Sequence, residues 1–302
     1  MKKTPLIIDC DPGVDDVLAI VMAKYVDKFD IKAITSVSGN VGIDLTTRNA
    51  QLIAGLLDLN CIVARGAEEP LVKPKREAGH VHGADGIGGT LEMFPKDCGK
   101  NLSKDSALNV LRDTLMKSDE KVSIVAIGPL TNIGLLLKTY PEVKEKIEVI
   151  SIMGGAINNG NATPCSEYNF LVDPEAASIV YKSGVPLIMA GINLTVKVTL
   201  TDENLEEIKK IGTNLSEIGH KMILDYTKDD PAIHDPCAVL ALSHPEMFEW
   251  EDLYVQIDTR EGFTQGMSYA DYRLRDPKKP NCRVLTNIDL DKFRRFTVES
   301  FK

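Results

Sequence analysis

The sequence predicts an α/β fold: an open, mostly parallel, Rossmann-like sheet with helices on both faces and a C-terminal elaboration. Two observations point to it. Apolar, strand-like runs alternate with helix-like stretches over roughly the first two-thirds of the 302 residues, the pattern of a parallel sheet covered on both sides. Polar residues also gather where those runs end: Asp11 after the first, Asn40 after the second, the Gly128 turn after the fourth, and Asn158 to Asn169 after the fifth. Ligands of such sheets bind beyond the carboxyl ends of the strands, so a single site is expected there. Residues 1–302 are read as one domain, with no internal repeat, low-complexity tract or linker.

The first strand is the apolar run Leu6-Ile7-Ile8, closed by Pro12-Gly13, and a helix follows from Val14 to Val26. Ile31 to Val37 reads as the second strand, Asp44 to Leu57 as a helix and Cys61-Ile62-Val63 as a short third strand. Residues 66–100 read as loop, and Ser103 is placed as the cap of a helix running to Met116. Val122 to Ile127 and Val149 to Met153 are the next strands, with a helix between them after Gly128-Pro129-Leu130-Thr131. A long polar segment then runs to Val172. Asp173-Pro174 opens the next helix, Asp as N-cap and Pro in the first turn. Pro186 to Ala190 is a sixth strand, and Asp202 to Ala241 is helical apart from a break at Asp229-Asp230-Pro231. Short strands and a last helix from Asp289 complete the chain.

Composition narrows the function. At 43% hydrophobic and 26% charged residues the chain has ample core for a globular protein. A net charge of −9 argues against nucleic acid or an anionic membrane as partner. No apolar run approaches the ~18 residues of a membrane helix, and the stretch before Asp9 is too short for a signal peptide. Six scattered cysteines without a CxxC pair suit reduced thiols in a cytoplasm.

The chemistry is concentrated in Asp9-Cys10-Asp11-Pro12-Gly13-Val14-Asp15-Asp16. A strand end, a tight turn and a helix start bring at least three of these carboxylates towards one point. Left alone they would repel and raise each other's pKa. A hard divalent cation with oxygen ligands, calcium or magnesium rather than zinc, resolves the repulsion. Further along, Asn158-Asn159-Gly160-Asn161 and Glu167-Tyr168-Asn169 supply amides and carboxylates suited to sugar hydroxyls. Gly83 to Gly89 lacks the spacing of a phosphate loop and reads as a lid or tight turn. No HExxH spacing occurs, which leaves His82 and His234 as acid–base candidates. Asp235, before Pro236, could be a helix cap alone.

These residues resemble the inosine-uridine-preferring nucleoside hydrolases. The N-terminal acids match that family's DxDxxxDD signature. The likeness continues through Ser38-Gly39-Asn40, His80 to Gly89, Gly128 to Asn132, Met153-Gly154-Gly155, Gly160-Asn161, Glu167-Tyr168-Asn169, Asp173 to Ala176 and His234-Asp235-Pro236, in family order between residues 5 and 240. The last 60 residues carry no matching motif. The resemblance implies one Ca²⁺ held by Asp11, Asp16, Asp235 and the main-chain carbonyl at Ile127. It implies ribose contacts from Asp15, Asn40, Asn161, Glu167, Asn169 and Asp235, with His234 protonating the leaving base. Tyr168 stands where the family often has Phe, at the wall of the ribose pocket. Tyr226 and His82 are read as base-side contacts. The implied partner is a small-molecule ribonucleoside, in nucleoside salvage, with a homodimer or homotetramer as the assembly.

The expected reaction is hydrolysis of the N-glycosidic bond through an oxocarbenium-like transition state. Calcium would acidify a water, Asp11 would take its proton, and direct attack would invert the anomeric carbon. Two alternatives are an aspartate-nucleophile phosphatase, which a DxD after a first strand can mimic, and a non-catalytic nucleoside or ribose binder on the same scaffold.

Overall fold

The computed structural model describes residues 2–272 and 278–302. Among these residues the strands are β1 (Thr4–Cys10), β2 (Phe29–Ser36), β3 (Ile62–Arg65), β4 (Val122–Ala126), β5 (Ile147–Met153), β6 (Leu187–Ala190), β7 (Phe248–Leu253), β8 (Val255–Ile257), β9 (Ser268–Ala270) and β10 (Cys282–Ile288). The helices are α1 (Val14–Tyr25), α2 (Ile43–Leu56), α3 (Gly79–His82), α4 (Ala107–Lys117), α5 (Thr131–Thr139), α6 (Tyr168–Val172), α7 (Pro174–Tyr181), α8 (Ile192–Thr195), α9 (Asp202–Ile211), α10 (Asn214–Tyr226), α11 (Pro236–Ser243) and α12 (Leu290–Glu299). No helix among the described residues is long and apolar enough to cross a membrane.

The main sheet has eight strands in the order β3-β2-β1-β4-β5-β6-β10-β7. All its pairs are parallel except β10 with the edge strand β7; β8 and β9 pair separately, antiparallel. The expected parallel α/β sheet is therefore present. The C-terminal elaboration extends it: β10 joins β6 in parallel, and β7 closes that edge.

β1 shows why the sheet needs cover on both faces. Leu6, Ile8 and Cys10 join the core formed with α1, α2, α10, α11 and α12, whereas Ile7 joins the opposite core with α4, α5 and α7. Residues 5–10 are all buried, as in the centre of a parallel sheet. The chain moves out one way from β1 to β3 and the other way from β4 onward, so the β1 and β4 ends flank a crevice.

Three local expectations are corrected. The helix after residue 103 starts at Ala107, and its cap is Ser106, whose hydroxyl accepts the Asn109 N–H; Ser103 instead closes a turn onto the Asp105 N–H. The polar segment before Val172 is not all loop, because Glu167 caps the short helix α6 with its own carboxylate. Within 66–100, α3 carries His82, and the glycines after it form a tight turn. There Asp85 Oδ1 accepts the N–H groups of Ile87 and Gly89, each at 3.0 Å. Asn49 pins that turn to the first acidic loop, its Nδ2 donating to the carbonyls of Asp85 and Pro12 at 3.0 Å each.

Candidate active site

Asp11 lies one residue beyond β1, and its Oδ2 accepts the Asn40 N–H at 2.7 Å. Glycines crowd the carboxylate from two sides: a Cβ at Gly39 would stand 2.0 Å from Oδ2, and one at Gly128 2.6 Å from Oδ1. No other residue fits there without displacing Asp11. Asp16, in the first turn of α1, accepts the N–H groups of Asp11 (3.1 Å) and Gly13 (2.9 Å) and the Asn40 side-chain amide (3.1 Å). Asp235 occupies the N-cap position of α11 with Pro236 behind it, yet makes no side-chain cap hydrogen bond. It turns into the acids instead, because α11 packs against α1 and the sheet.

Oxygens of Asp15, Asp16 and Asp235 consequently lie within 4.8 Å of one another, all buried. Two unit charges about 4 Å apart repel by roughly 4 kcal/mol at an effective dielectric of about 20. Burial, followed by the charge of Asp16, raises the Asp11 carboxyl well above the ordinary range. Burial and Asp15 push Asp16 up to about 8, and burial with Asp15, Asp16 and Asp11 drives Asp235 well up as well. Asp11 Oδ1 and Asp15 Oδ1 are buried without a hydrogen-bond partner. The set therefore needs protons or a cation, and its oxygen-only chemistry can hold a metal ion. Asp9, the first acid of the series, is engaged elsewhere: its Oδ1 accepts from the Thr35 hydroxyl and, at 2.8 Å, from the Asn132 amide.

Above these acids opens a cleft of about 550 Å³, the size of a small-molecule site. Of the residues singled out in the sequence, Asp15, Asn40, His82, Ile127, Asn161, Glu167, Asn169, Tyr226, His234 and Asp235 line it, while Asp11 and Asp16 are buried behind it. One wall comes from the β5–α6 segment. Glu167 accepts the N–H groups of Asn169 (2.7 Å), Phe170 (3.1 Å) and Gly155 (2.8 Å), so its carboxylate fixes backbone as well as facing the cleft. Burial still raises its pKa, against those three bonds. The Asn169 amide donates to the carbonyls of Ile127 (2.9 Å) and Met153 (3.1 Å). Asn161 accepts the Tyr168 N–H at 3.0 Å, and the Tyr168 hydroxyl donates to the Gly39 carbonyl at 2.9 Å.

The opposite wall comes from α3, the end of α10 and the turn before α11. The break at Asp230-Pro231 brings Tyr226 and His234 into the same cleft rather than separating them. His82 Nδ1 accepts the Val14 N–H at 3.3 Å, and its ring lies 5.3 Å from that of Tyr226. His234 is held at both nitrogens, Nδ1 by Thr195 Oγ1 (2.8 Å) and Nε2 by Asp230 Oδ2 (3.1 Å). Burial works to lower its pKa, but the bond to Asp230 and the charges of Asp15 and Asp230 outweigh it, and the net direction is up. In the sequence Asp230 reads only as part of a helix break, and Thr195 carries no functional reading. The four-residue spacing of Asp230 and His234 was the available signal; Thr195, distant in sequence, left none.

Known proteins resemble this chain along nearly its whole length. The family described as inosine-uridine preferring nucleoside hydrolase matches residues 6–295. The pyrimidine-specific ribonucleoside hydrolase RihA of Escherichia coli (strain SMS-3-5 / SECEC) is 40% identical over 299 residues, covering 96% of this chain and 95% of RihA. Among solved structures, a purine-preferring ribonucleoside hydrolase from Gardnerella vaginalis superposes with a TM-score of 0.90 at 31% identity, over 99% of this chain and 98% of its own. A plant nucleoside hydrolase, PpNRh1, gives 0.89 at 28% identity with the same coverage. This chain belongs to the inosine-uridine-preferring nucleoside hydrolase family and is an N-glycosyl hydrolase of ribonucleosides.

Proposed function

We propose that the enzyme cleaves purine and/or pyrimidine ribonucleosides to ribose and free base with one calcium ion in its acidic cluster. The observation that carries this is the buried, closely spaced set of Asp15, Asp16 and Asp235, with Asp11 buried behind the cleft and the Oδ1 oxygens of Asp11 and Asp15 lacking partners. The donors fit a hard cation: all are oxygens, and the Ile127 carbonyl, bonded once by Asn169, keeps a second lone pair. Asp11, Asp16, Asp235 and that carbonyl would hold the ion. When bound, such a cation acidifies water at the site and orients ribose oxygens.

The chain's own groups account for the rest. Asp11, fixed through Oδ2 by Asn40, has Oδ1 available to take a proton from the attacking water. Asp15, Asn40, Asn161, Glu167, Asn169 and Asp235 would grip the ribose hydroxyls, presenting the anomeric carbon in one orientation. Carboxylates below the ring favour positive charge on the sugar in the transition state. Attack from that side implies inversion. The relatives' names point to both base classes; RihA, at the higher identity, makes pyrimidine ribonucleosides the first to assay. Six free cysteines support a reducing, cytoplasmic compartment; we also propose a homodimer or homotetramer.

The test is metal content with activity. Purified protein should retain calcium, chelation should abolish hydrolysis of uridine and cytidine, and calcium should restore it. Undiminished turnover by metal-free protein would overturn the calcium mechanism, and absence of turnover in the loaded protein would favour the non-catalytic binder.

His234 is assigned the proton for the departing base. His234→Ala should lose about 10²–10⁴-fold in kcat on a natural nucleoside. It should lose far less on p-nitrophenyl riboside, whose phenolate leaves without protonation. A packing role predicts similar losses on both substrates and a lowered Tm.

A further inference from the structure

One carboxylate in the cleft has no part in the reaction as derived above. Asp230 sits in the turn between α10 and α11, beside Tyr226 and His234. Its Oδ1 accepts the Ala232 N–H at 3.0 Å and its Oδ2 meets His234 Nε2 at 3.1 Å. A carboxylate offers about four lone-pair sites, and these two bonds occupy one on each oxygen. The side chain stays 31% exposed while lining the cleft, so an acceptor of fixed orientation remains available to a ligand. The Ala232 bond keeps it in place even when His234 gives up its proton.

The surroundings define what that acceptor can select. Around it stand the rings of His82, Tyr226 and His234. The one Lys or Arg in the described lining, Arg76, stands near Tyr168. An acceptor-only group beside rings, with His234 bound to one of its oxygens, rewards a donor and repels a ring nitrogen lone pair. Nucleobases carry such donors on the edge away from the sugar: N4–H of cytosine, N3–H of uracil, N1–H of hypoxanthine.

We propose that Asp230 is a specificity-determining residue, whose clamped carboxylate accepts a hydrogen bond from an N–H on the outer edge of the base. The cleft then takes nucleosides bearing that donor and disfavours those without it. The inference rests on the proposed ribonucleoside reaction and on placing the base beside Tyr226 and His82, but not on whether purines or pyrimidines are preferred.

The experiment compares two substrate pairs whose second member lacks the donor and adds no bulk: cytidine with pyrimidin-2-one riboside, which removes the 4-amino group alone, and inosine with purine riboside, which removes N1–H together with O6. kcat/KM is measured for wild type, Asp230→Ala and Asp230→Asn. A hydrogen bond to a charged acceptor supports a discrimination of about 10–100-fold. The donor-to-analogue ratio of the preferred pair should fall by that factor in Asp230→Ala and by less in Asp230→Asn, whose amide oxygen can still accept. Because loss of His234 alone slows poor leaving groups more than good ones, the same ratios are measured in His234→Ala with and without Asp230→Ala. If Asp230 only orients His234 or supports the turn, Asp230→Ala leaves the ratio in that background unchanged, which overturns the proposal. A wild-type enzyme that cleaves neither pair removes the proposed reaction itself, a separately visible failure.

Discussion

2′-Deoxynucleosides are expected to be cleaved about 10⁴–10⁵-fold less efficiently than the matching ribonucleosides, measured as kcat/KM. The reason lies in the floor of the cleft. Asp15 and Asp235 are 4% and 3% exposed, and Asp15 Oδ1 has no hydrogen-bond partner. A ribose hydroxyl supplies the missing donor, and a deoxyribose leaves a buried carboxylate oxygen unmet. Hydrophobic pockets cannot discriminate on this scale, because one missing group costs them only about 10–200-fold. The comparison needs uridine against 2′-deoxyuridine and inosine against 2′-deoxyinosine under calcium. Equal rates within the pairs would mean that the acids do not hold the sugar.

Asp11→Asn should lower kcat by at least about 10³-fold, near the upper part of the range for a general base, while raising the Tm of the metal-free protein. These opposite signs follow from one environment. The carboxylate is buried among like charges, its Oδ1 has no partner, and its pKa is driven well up by burial and by Asp16. An amide of the same shape keeps the Asn40 bond to Oδ2 and removes the charge. Relief of that repulsion stabilises the fold, whereas loss of a proton acceptor and proposed ligand stops turnover. Calcium should raise the Tm of wild type and raise that of the variant much less, since a ligand that binds only the folded state stabilises it by mass action. A variant with a lower Tm and an unchanged calcium shift would make Asp11 a structural residue. Asp16 is a poorer target than it looks in sequence: three N–H groups converge on it, and alanine there would orphan them all.

How much of this was legible beforehand depended on chain distance. Asp9 to Asp16 could be read directly, because a strand end, a Pro-Gly turn and a helix start are all set within eight residues. The alternation of strands and helices was legible for the same reason, and with it the sheet and the end where the site lies. Errors arose where two local solutions were nearly equivalent: Ser103 and Ser106 are both fair caps, and packing of Ala107 and Val110 against the second core selects the latter. The polar run before Val172 concealed α6 because its cap, Glu167, was read for its charge rather than for its bonds to backbone.

Through local rules and a family likeness, the sequence by itself determined the fold class, the acid cluster's first three members and the kind of chemistry they need. Only the tertiary structure decided how the remaining groups reach them. Asp235, which the family likeness named, reaches the acids from far along the chain because the apolar helix α11 is buried against α1, a long-range packing choice that no neighbouring residue announces. The orientation of His234 is likewise a property of three segments, with Thr195 at the end of α8 and Asp230 beyond α10 each holding one nitrogen. Turns and caps are short-range free energies written in adjacent residues, whereas a cleft wall exists only once burial of apolar surface has brought distant segments together.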